Sequence, residues 1–355
     1  MTATTASPAA RRGSRRFFLP LLVIGVLIAY YFVLWAALAI SDPARSAAAG
    51  QVALQQTVNA LSIGSIYALI ALGYTMVYGI IELINFAHGD VFMVGAFTSL
   101  FFLVSVMGQS GPVLDVPFLV FLILAALAFT MPLMALLNMS IERIFYRPLR
   151  HAPRLAPLIT AIGVSFILQN VALVVAGSGD RGTPQIFPLA WRLDLFGASV
   201  PVLSFVILLM ALTLMGVLQL FVGKTRLGRA MRSTAQDQQA SRLMGVDVNQ
   251  TIALTFLLGG ALAGAAGVAW GLNFGYVRQD LGFNAGLKAF TSAVLGGIGN
   301  ITGAVIGGFF IGFVENFSSS LGLARWAELL VFAVLTLVLV FRPTGILGQQ
   351  LGDRA

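Results

Sequence analysis

The chain has 355 residues, of which 58% are hydrophobic and 10% are charged, and its formal net charge is +8. A soluble domain is usually about a quarter charged, so this composition excludes an ordinary soluble enzyme and predicts an integral membrane protein. Because the chain has no cysteine and two histidines, we expect no disulfide framework, no metal site and no cofactor.

Apolar runs long enough for membrane helices follow one another along the chain. They are apolar on every face, whereas barrel strands alternate apolar and polar residues, so we predict an all-α polytopic transmembrane bundle. The runs occupy residues 17–40, 52–81, 86–107, 117–140, 156–176, 200–222, 251–274, 287–317 and 326–342.

Two of these runs leave alternatives open. Residues 17–40 form either a retained anchor, which their length favours, or a signal peptide. The long run 287–317 is interrupted by Gly-Gly-Ile-Gly-Asn at 296–300, which favours a short helix, a break and a full helix over a re-entrant segment. We therefore expect about nine or ten membrane segments, within a range of about eight to ten.

Basic residues lie at the ends of the apolar runs, which argues against nucleic-acid binding. By the positive-inside rule they predict a cytoplasmic N-terminus and cytoplasmic connections at 141–155 and 223–250. The residues that carry this prediction are Arg11, Arg12, Arg15 and Arg16 before the first run, Arg143, Arg147, Arg150 and Arg154 in the first connection, and Lys224, Arg226, Arg229, Arg232 and Arg242 in the second.

The connection 223–250 predicts a short cytoplasmic helix. Thr234 and Asp237 have the spacing of a capping box, and Gly245 suits the C′ position, which together predict a helix over 235–244. Asp247 or Asn249 is expected to cap the next membrane helix. On the predicted helix Ala240, Leu243 and Met244 share one face, which either fits a groove on a partner or packs on the bundle itself.

Several polar residues interrupt the apolar runs. The stretch from Glu82 to Asp90 places two carboxylates and a histidine in the membrane region, either at an interfacial turn or at a helix break that lines a pathway. The asparagines serve either as links between helices or as ligand contacts. The candidate pathway residues are Asn59, Ser62, Ser65, Asn85, His88, Asn170 and Asn273.

Fifteen of the 38 glycines lie between Gly259 and Gly312. Spacing of the GxxxG type lets helix backbones approach closely. This pattern predicts packing within the subunit, a subunit interface or a translocation wall. The candidate packing residues are Gly260, Gly264, Gly299, Gly303 and Gly307.

Longer stretches carry a resemblance to a known family. They include Asn-Phe-Ala-His-Gly at 85–89, and the others lie at 55–61, 64–81, 141–143, 146–150, 159–165, 288–291, 293–300 and 342–348. In these stretches the chain resembles the permease subunits of branched-chain amino-acid ABC importers, of the LivH type, over about residues 52–348. Residues 51–348 would then form the permease domain, preceded by a basic segment and an extra anchor at 1–50 and followed by a tail at 349–355.

The resemblance implies a multi-pass subunit of the bacterial cytoplasmic (inner) membrane that imports branched-chain or related amino acids. It implies four kinds of partner: a second, LivM-type permease subunit, two ABC ATPase subunits, an extracytoplasmic binding protein and the lipid membrane. Such permeases dock on their ATPase through an E-A-A-x-x-x-G loop, which Gln239-Ala240-Ser241 and Gly245 match except that Gln replaces the acidic residue. The expected coupling residues are Gln239, Ala240, Ser241, Leu243, Met244 and Gly245.

No Walker A sequence occurs in the chain, so we expect it not to be an enzyme and ATP hydrolysis to take place on partner subunits. Two alternatives stay open. One is a permease for urea or short amides, and the other is an ion-coupled secondary carrier, which predicts buried carboxylates for coupling.

Overall fold

A computed structural model describes residues 25, 28–40, 48–150, 152–153, 155–342 and 344–348 of the chain. The arginine block at 11–16, the first part of the run 17–40, Arg154 and the tail 349–355 lie outside the described residues. The helices are α1 (Ile28–Ile40), α2 (Ala49–Ile81), α3 (Ala87–Phe101), α4 (Val116–Ile141), α5 (Leu155–Ala176), α6 (Val202–Lys224), α7 (Arg226–Gln236), α8 (Gln238–Leu243), α9 (Val248–Phe274), α10 (Leu281–Gly296), α11 (Ile301–Ser320) and α12 (Ala327–Phe341).

The prediction of an all-α membrane bundle is confirmed. Within the described residues, eight helices are long and apolar enough to cross a membrane, namely α2 to α6, α9, α11 and α12, with short helical turns extending α3, α4 and α12. Helix α10 has 16 residues, fewer than the roughly 20 of a full membrane crossing. It is about 24 Å long. The described part of α1 is also shorter than a crossing.

The predicted break inside the run 287–317 is present. Gly297 (φ +107°) and Gly299 (φ +88°) adopt backbone conformations that glycine accepts readily, and they end α10. The Asn300 side chain then accepts a hydrogen bond from the Gly303 N–H at 3.2 Å and caps α11. The interrupted run is therefore a short helix, a break and a full helix.

The last described residues complete this break. The Ile346 N–H donates to the Leu295 carbonyl at 2.8 Å, and the Leu347 N–H donates to the Gly296 carbonyl at 3.0 Å. Asn300 Nδ2 donates to the Leu347 carbonyl at 2.9 Å. The segment 344–348 thus satisfies carbonyl groups that the end of α10 leaves open.

The helices define two ends of the bundle. At one end, here called the basic end, lie the connections 142–150, 225–247 and 297–300 together with Arg342 and the segment 344–348. At the opposite end, here called the sheet end, two small antiparallel pairs form. They are β1 (Arg181–Gly182) with β4 (Tyr276–Val277), and β2 (Arg192–Leu195) with β3 (Ala198–Pro201). The sequence reasoning did not predict these strands.

The helices α2 and α9 lie at the centre of the bundle, whereas α5, α6 and α12 lie outside it. The apolar window of α2 is 89% buried and that of α12 is 11% buried. Four of the five candidate packing glycines make close helix contacts. A Cβ at Gly260 would lie 2.7 Å from Asn138 Cβ, and one at Gly264 would lie 3.1 Å from Met131 Cα.

Gly303 and Gly307 face α10 in the same way, against the Gly296 and Ser292 carbonyls. These contacts favour packing within the subunit. Gly299 lies in the break between α10 and α11, and a Cβ there would be 3.8 Å from Gly79 Cα, an ordinary contact. Its role in helix packing stays a prediction.

Candidate functional site

The connection between α6 and α9 forms two short helices rather than one. Thr225 Oγ1 caps α7 by accepting from the Gly228 N–H at 3.0 Å. Asp237 then adopts an extended conformation and accepts from the N–H groups of Gln239 at 2.8 Å and Ala240 at 3.0 Å. The prediction of a single helix over 235–244 is therefore wrong, because Asp237 is itself the N-cap of α8. Thr234, the expected cap, is buried within α7.

The predicted end of this helix is confirmed. Gly245 has φ +82°, its N–H donates to the Arg242 carbonyl at 3.0 Å, and the Val246 N–H donates to the Ser241 carbonyl at 3.0 Å. This is a Schellman motif, which satisfies the last carbonyl groups of α8. Hydrogen bonds thus fix both ends of this six-residue helix.

Of the two residues expected to cap the next membrane helix, Asp247 does so. It accepts from the Gln250 N–H at 3.0 Å. Asn249 instead accepts from Arg150 Nη1 at 2.6 Å, which links the start of α9 to the end of the α4 segment.

The outer face of α8 is apolar and open. Leu243 is 89% exposed and Met244 is 84% exposed, and Ala240 is exposed beside them. Ser241 is buried and faces the bundle, so it lies on the inner side of α8. The alternative in which the Ala240, Leu243 and Met244 face packs on its own bundle is excluded.

The α8 helix is also tied to the membrane helices. Gln238 Nε2 donates to the Ile80 carbonyl at the end of α2 at 3.1 Å. This hydrogen bond links α8 to α2, the most buried of the eight helices described as long enough to cross a membrane.

A buried ion pair lies at the same end of the bundle, within the connection 142–150. Arg150 donates to Glu142, whose side chain is 1% exposed. Burial lowers the pKa of the Arg150 guanidinium from its ordinary value, and Glu142 opposes that change. At the sheet end, an exposed hydrogen bond to Asp280 raises the pKa of Arg278.

The stretch Glu82–Asp90 contains a helix break inside the bundle. Helix α2 ends at Glu82 (φ +55°) and α3 begins at Ala87. Asn85 is buried between the two, accepts from Tyr146 Oη at 2.9 Å and donates to Asn138 Oδ1 at 3.5 Å. The break therefore lies beside the connection 142–150 at the basic end, and both alternatives, an interfacial turn and a break that lines a pathway, stay predictions.

His88 is fully buried beside the same break. Its ring packs against Tyr74, with ring centroids 4.9 Å apart, and lies against Gly73, where a Cβ would collide with the ring. Neither ring nitrogen has a hydrogen-bond partner. The absence of a side chain at Gly73 is what leaves room for the imidazole.

The structure does not bring the seven candidate pathway residues together. Ser62 Oγ donates to Asn273 Oδ1 at 3.1 Å and links α2 to α9, which is the helix-linking role. Asn59, Ser65 and Asn170 bond within their own helices, to Gln56 Oε1 at 3.4 Å and to the Leu61 and Phe166 carbonyls at 2.7 and 2.8 Å, respectively. Their role in a pathway stays a prediction.

Residues 56–339 match the protein family described as the permease component of branched-chain amino acid transport systems. The chain belongs to this family. It is 44% identical over 300 residues to the high-affinity branched-chain amino acid transport system permease protein BraD of Pseudomonas aeruginosa, covering 83% of this chain and 96% of BraD. It is 43% identical over 299 residues to LivH of Escherichia coli, with the same two coverages.

Among solved structures, this permease is similar to a putative metal-chelate type ABC transporter in an inward-facing conformation. The match has 17% sequence identity and a TM-score of 0.46, and it covers 89% of this chain and 99% of the other.

The sequence reasoning missed one polar cluster of this permease. Ser165 donates to Asp90 Oδ2, and Gln169 Nε2 donates to Ser165 Oγ at 3.2 Å. Ser165 and Gln169 line a cavity of about 260 Å³. Their i, i+4 spacing inside the apolar run 156–176 was the available signal, but Asp90 lies 75 residues away from Ser165 in the chain.

Proposed function

We propose that this chain is the membrane-spanning permease subunit of an ABC importer that moves branched-chain amino acids into the cytoplasm. Family membership and 44% identity to BraD, over 96% of that protein's length, support the proposal. The chain itself would form no covalent bond with its substrate, and ATP hydrolysis would take place on two partner ATPases. A LivM-type permease and an extracytoplasmic binding protein would complete the complex.

The distribution of charge supports an orientation with the basic end in the cytoplasm. The connections there carry eight basic residues among those described, which is the positive-inside pattern. The sheet end would then face the binding protein outside. Because α2 starts at the sheet end and α1 precedes it, a retained α1 segment would place the N-terminus inside.

The observation that carries the proposal is the exposed apolar face of α8 at the basic end. Asp237 and the Gly245 motif fix the helix at both ends, so it can transmit a displacement without fraying. Leu243 and Met244 present large apolar side chains to water, which fits insertion into a groove on an ATPase. Closure of the ATPases would push α8, and the Gln238 contact with α2 would carry the motion into the bundle.

Uptake of labelled leucine and urea tests this function. The complete complex is placed in vesicles with either intact or hydrolysis-deficient ATPase subunits. We expect leucine uptake that requires hydrolysis. Uptake of urea without leucine would favour the amide permease. Uptake that persists without hydrolysis would favour an ion-coupled carrier, a class that the buried carboxylate of Asp90 makes worth testing.

Two substitutions test the docking role of α8. Gly245→Pro removes the positive φ and the N–H of the C-terminal motif, and Ala240→Glu places a charge on the apolar face; both are expected to abolish transport and leave membrane insertion intact. The matched controls are Gly245→Asn, which tolerates a positive φ, and Ala240→Ser. Normal transport by Gly245→Pro and Ala240→Glu would disprove the docking assignment.

A further inference from the structure

A cleft between α2, α5 and α10 has a polar end and an apolar wall. Its volume is about 260 Å³, near the lower limit of small-molecule sites. Ser165 and Gln169 lie at the polar end. The apolar wall is formed by Phe86, Ile162, Phe166, Phe283 and Leu287.

The polar end is ordered by a chain of hydrogen bonds. Gln169 donates through Nε2 to Ser165 Oγ at 3.2 Å, and Ser165 donates its proton to Asp90 Oδ2. This arrangement leaves the Gln169 carbonyl oxygen as an acceptor at the cleft, with the negative charge of Asp90 behind Ser165. A ligand that donates hydrogen bonds and carries a positive charge complements such an arrangement.

Asp90 lacks a compensating charge in the described part of the chain. The residue is 1% exposed, its Oδ1 has no hydrogen-bond partner, and no described basic side chain forms an ion pair with it. A buried carboxylate is costly without a partner. Oδ1 is the atom nearest to where a Cβ of Gly282 would be, and Gly282 lines the cleft, so only a glycine separates this oxygen from the cavity.

The start of α10 forms one side of the cleft. Gly282 and Phe283, in its first turn, line it. The cleft therefore combines a polar end backed by a carboxylate with an apolar wall.

We propose that this cleft is a transit site for an aliphatic amino acid, with its ammonium group at Gln169 and Ser165 backed by Asp90 and its side chain against Phe166 and Phe283. The proposal rests on the import function above and adds to it the place where the substrate contacts this subunit. A branched aliphatic side chain suits the apolar wall, and an uncharged amide lacks the ammonium group that would compensate Asp90.

Thiol protection tests occupancy of the cleft directly. Because the chain has no cysteine, Phe166→Cys places a single thiol of this subunit in the cleft wall. We expect leucine to slow its labelling by N-ethylmaleimide several-fold in the complete complex. Val174→Cys, which lies on α5 outside the cleft and is also exposed, serves as the control. Equal labelling rates with and without leucine at Phe166→Cys would overturn the proposal.

Transport by substituted complexes tests the polar groups. We expect Asp90→Asn and Gln169→Leu to lower leucine uptake about tenfold or more in complexes that still assemble. Asp90→Glu should restore part of the uptake, and Ser140→Ala, which removes an exposed hydroxyl bonded within α4, should leave it unchanged.

The possible outcomes distinguish a failure of the proposed site from a failure of the proposed import function. Wild-type uptake by both Asp90→Asn and Gln169→Leu overturns the site and leaves the import function standing. If the Asp90→Asn complex fails to assemble, the uptake by Gln169→Leu decides whether the site is correct. Gln169 lies at the cavity wall and not in the core, so its substitution should not prevent assembly. If the unmodified complex takes up no leucine, the import function fails and the site fails with it.

Discussion

Gly260→Ala tests the close packing of α9 against α4. A Cβ at this position would lie 2.7 Å from Asn138 Cβ and 3.0 Å from Ala135 Cα, and it would collide with the Met134 carbonyl. These atoms belong to the backbone or are fixed to it, so the helices must separate to accommodate the methyl group. Separation would also stretch the 2.6 Å hydrogen bond from Asn138 Nδ2 to the Phe256 carbonyl.

The expected change in the free energy of unfolding combines two costs and one gain. Overpacking costs about 1–3 kcal/mol, a weakened buried hydrogen bond about 1 kcal/mol, and the better helix propensity of alanine returns up to about 1 kcal/mol. The free energy of unfolding should therefore fall by about 2 kcal/mol. Gly216→Ala is the control, because nothing lies within 4 Å of its Cβ position; it should gain about 0.5–1 kcal/mol.

The free energy of unfolding in mixed micelles, followed by the fluorescence of the four tryptophans, measures both variants. The two substitutions are chemically identical, so the difference between them reports the helix contact alone. Equal changes in the two variants would refute the packing argument.

Three further substitutions test polar contacts of the fold. Glu315→Ala leaves Lys288, whose Nζ lies 2.7 Å from Glu315 Oε1, without a counter-charge. Because the pair is part-buried, the free energy of unfolding should fall by about 1–3 kcal/mol, and Lys288→Met in the same chain should recover most of it. Asp237→Ala removes the N-cap of α8 and should cost about 1 kcal/mol of local stability, measured as faster amide exchange at 239–240. Arg278→Gln breaks exposed ion pairs and should change the free energy of unfolding by less than about 1 kcal/mol.

Each of these predictions would be contradicted by a specific result. No recovery by the double substitution would mean that Glu315 acts through other contacts, such as the 2.6 Å bond it accepts from Tyr67. Unchanged exchange in α8 would show that Asp237 does not hold the helix start. A large loss in Arg278→Gln would show that the exposed pairs act as a network.

Hydropathy predicted most of the membrane helices. The run 156–176 corresponds to α5 (Leu155–Ala176), and the run 251–274 corresponds to α9 (Val248–Phe274). Both predictions succeed because a membrane helix must satisfy its own backbone and remain apolar over its whole length. The break at 296–300 was also predictable, because several glycines interrupt an apolar run there and glycine accepts positive φ readily. Gly297 and Gly299 do adopt positive φ.

Local sequence patterns gave the wrong prediction where the same residues are compatible with two different local structures. Asp237 fits the third residue of a capping box and equally fits an N-cap, and only the structure shows the second. The pairing of β1 with β4 joins residues about a hundred positions apart, which no local signal reveals.

The polar cluster of the cleft escaped prediction for a related reason. Asp90 stood out as a charge in an apolar region, but its partner Ser165 is an ordinary residue of another helix. A serine or glutamine in an apolar run bonds its own helix as readily as a distant carboxylate. Proximity in the folded bundle, rather than residue type, distinguishes the two cases.

The bonds between the segment 344–348 and the break after α10 have a consequence for biosynthesis. Leu295 and Gly296 receive their partners only when Ile346 and Leu347 have been made, although α10 itself is complete some fifty residues earlier. Since a chain folds from its N-terminus during synthesis, the junction between α10 and α11 stays unfinished until Ile346 and Leu347 have been synthesised. A nascent chain that stalls before residue 344 would leave the carbonyl groups of Leu295 and Gly296 without these partners.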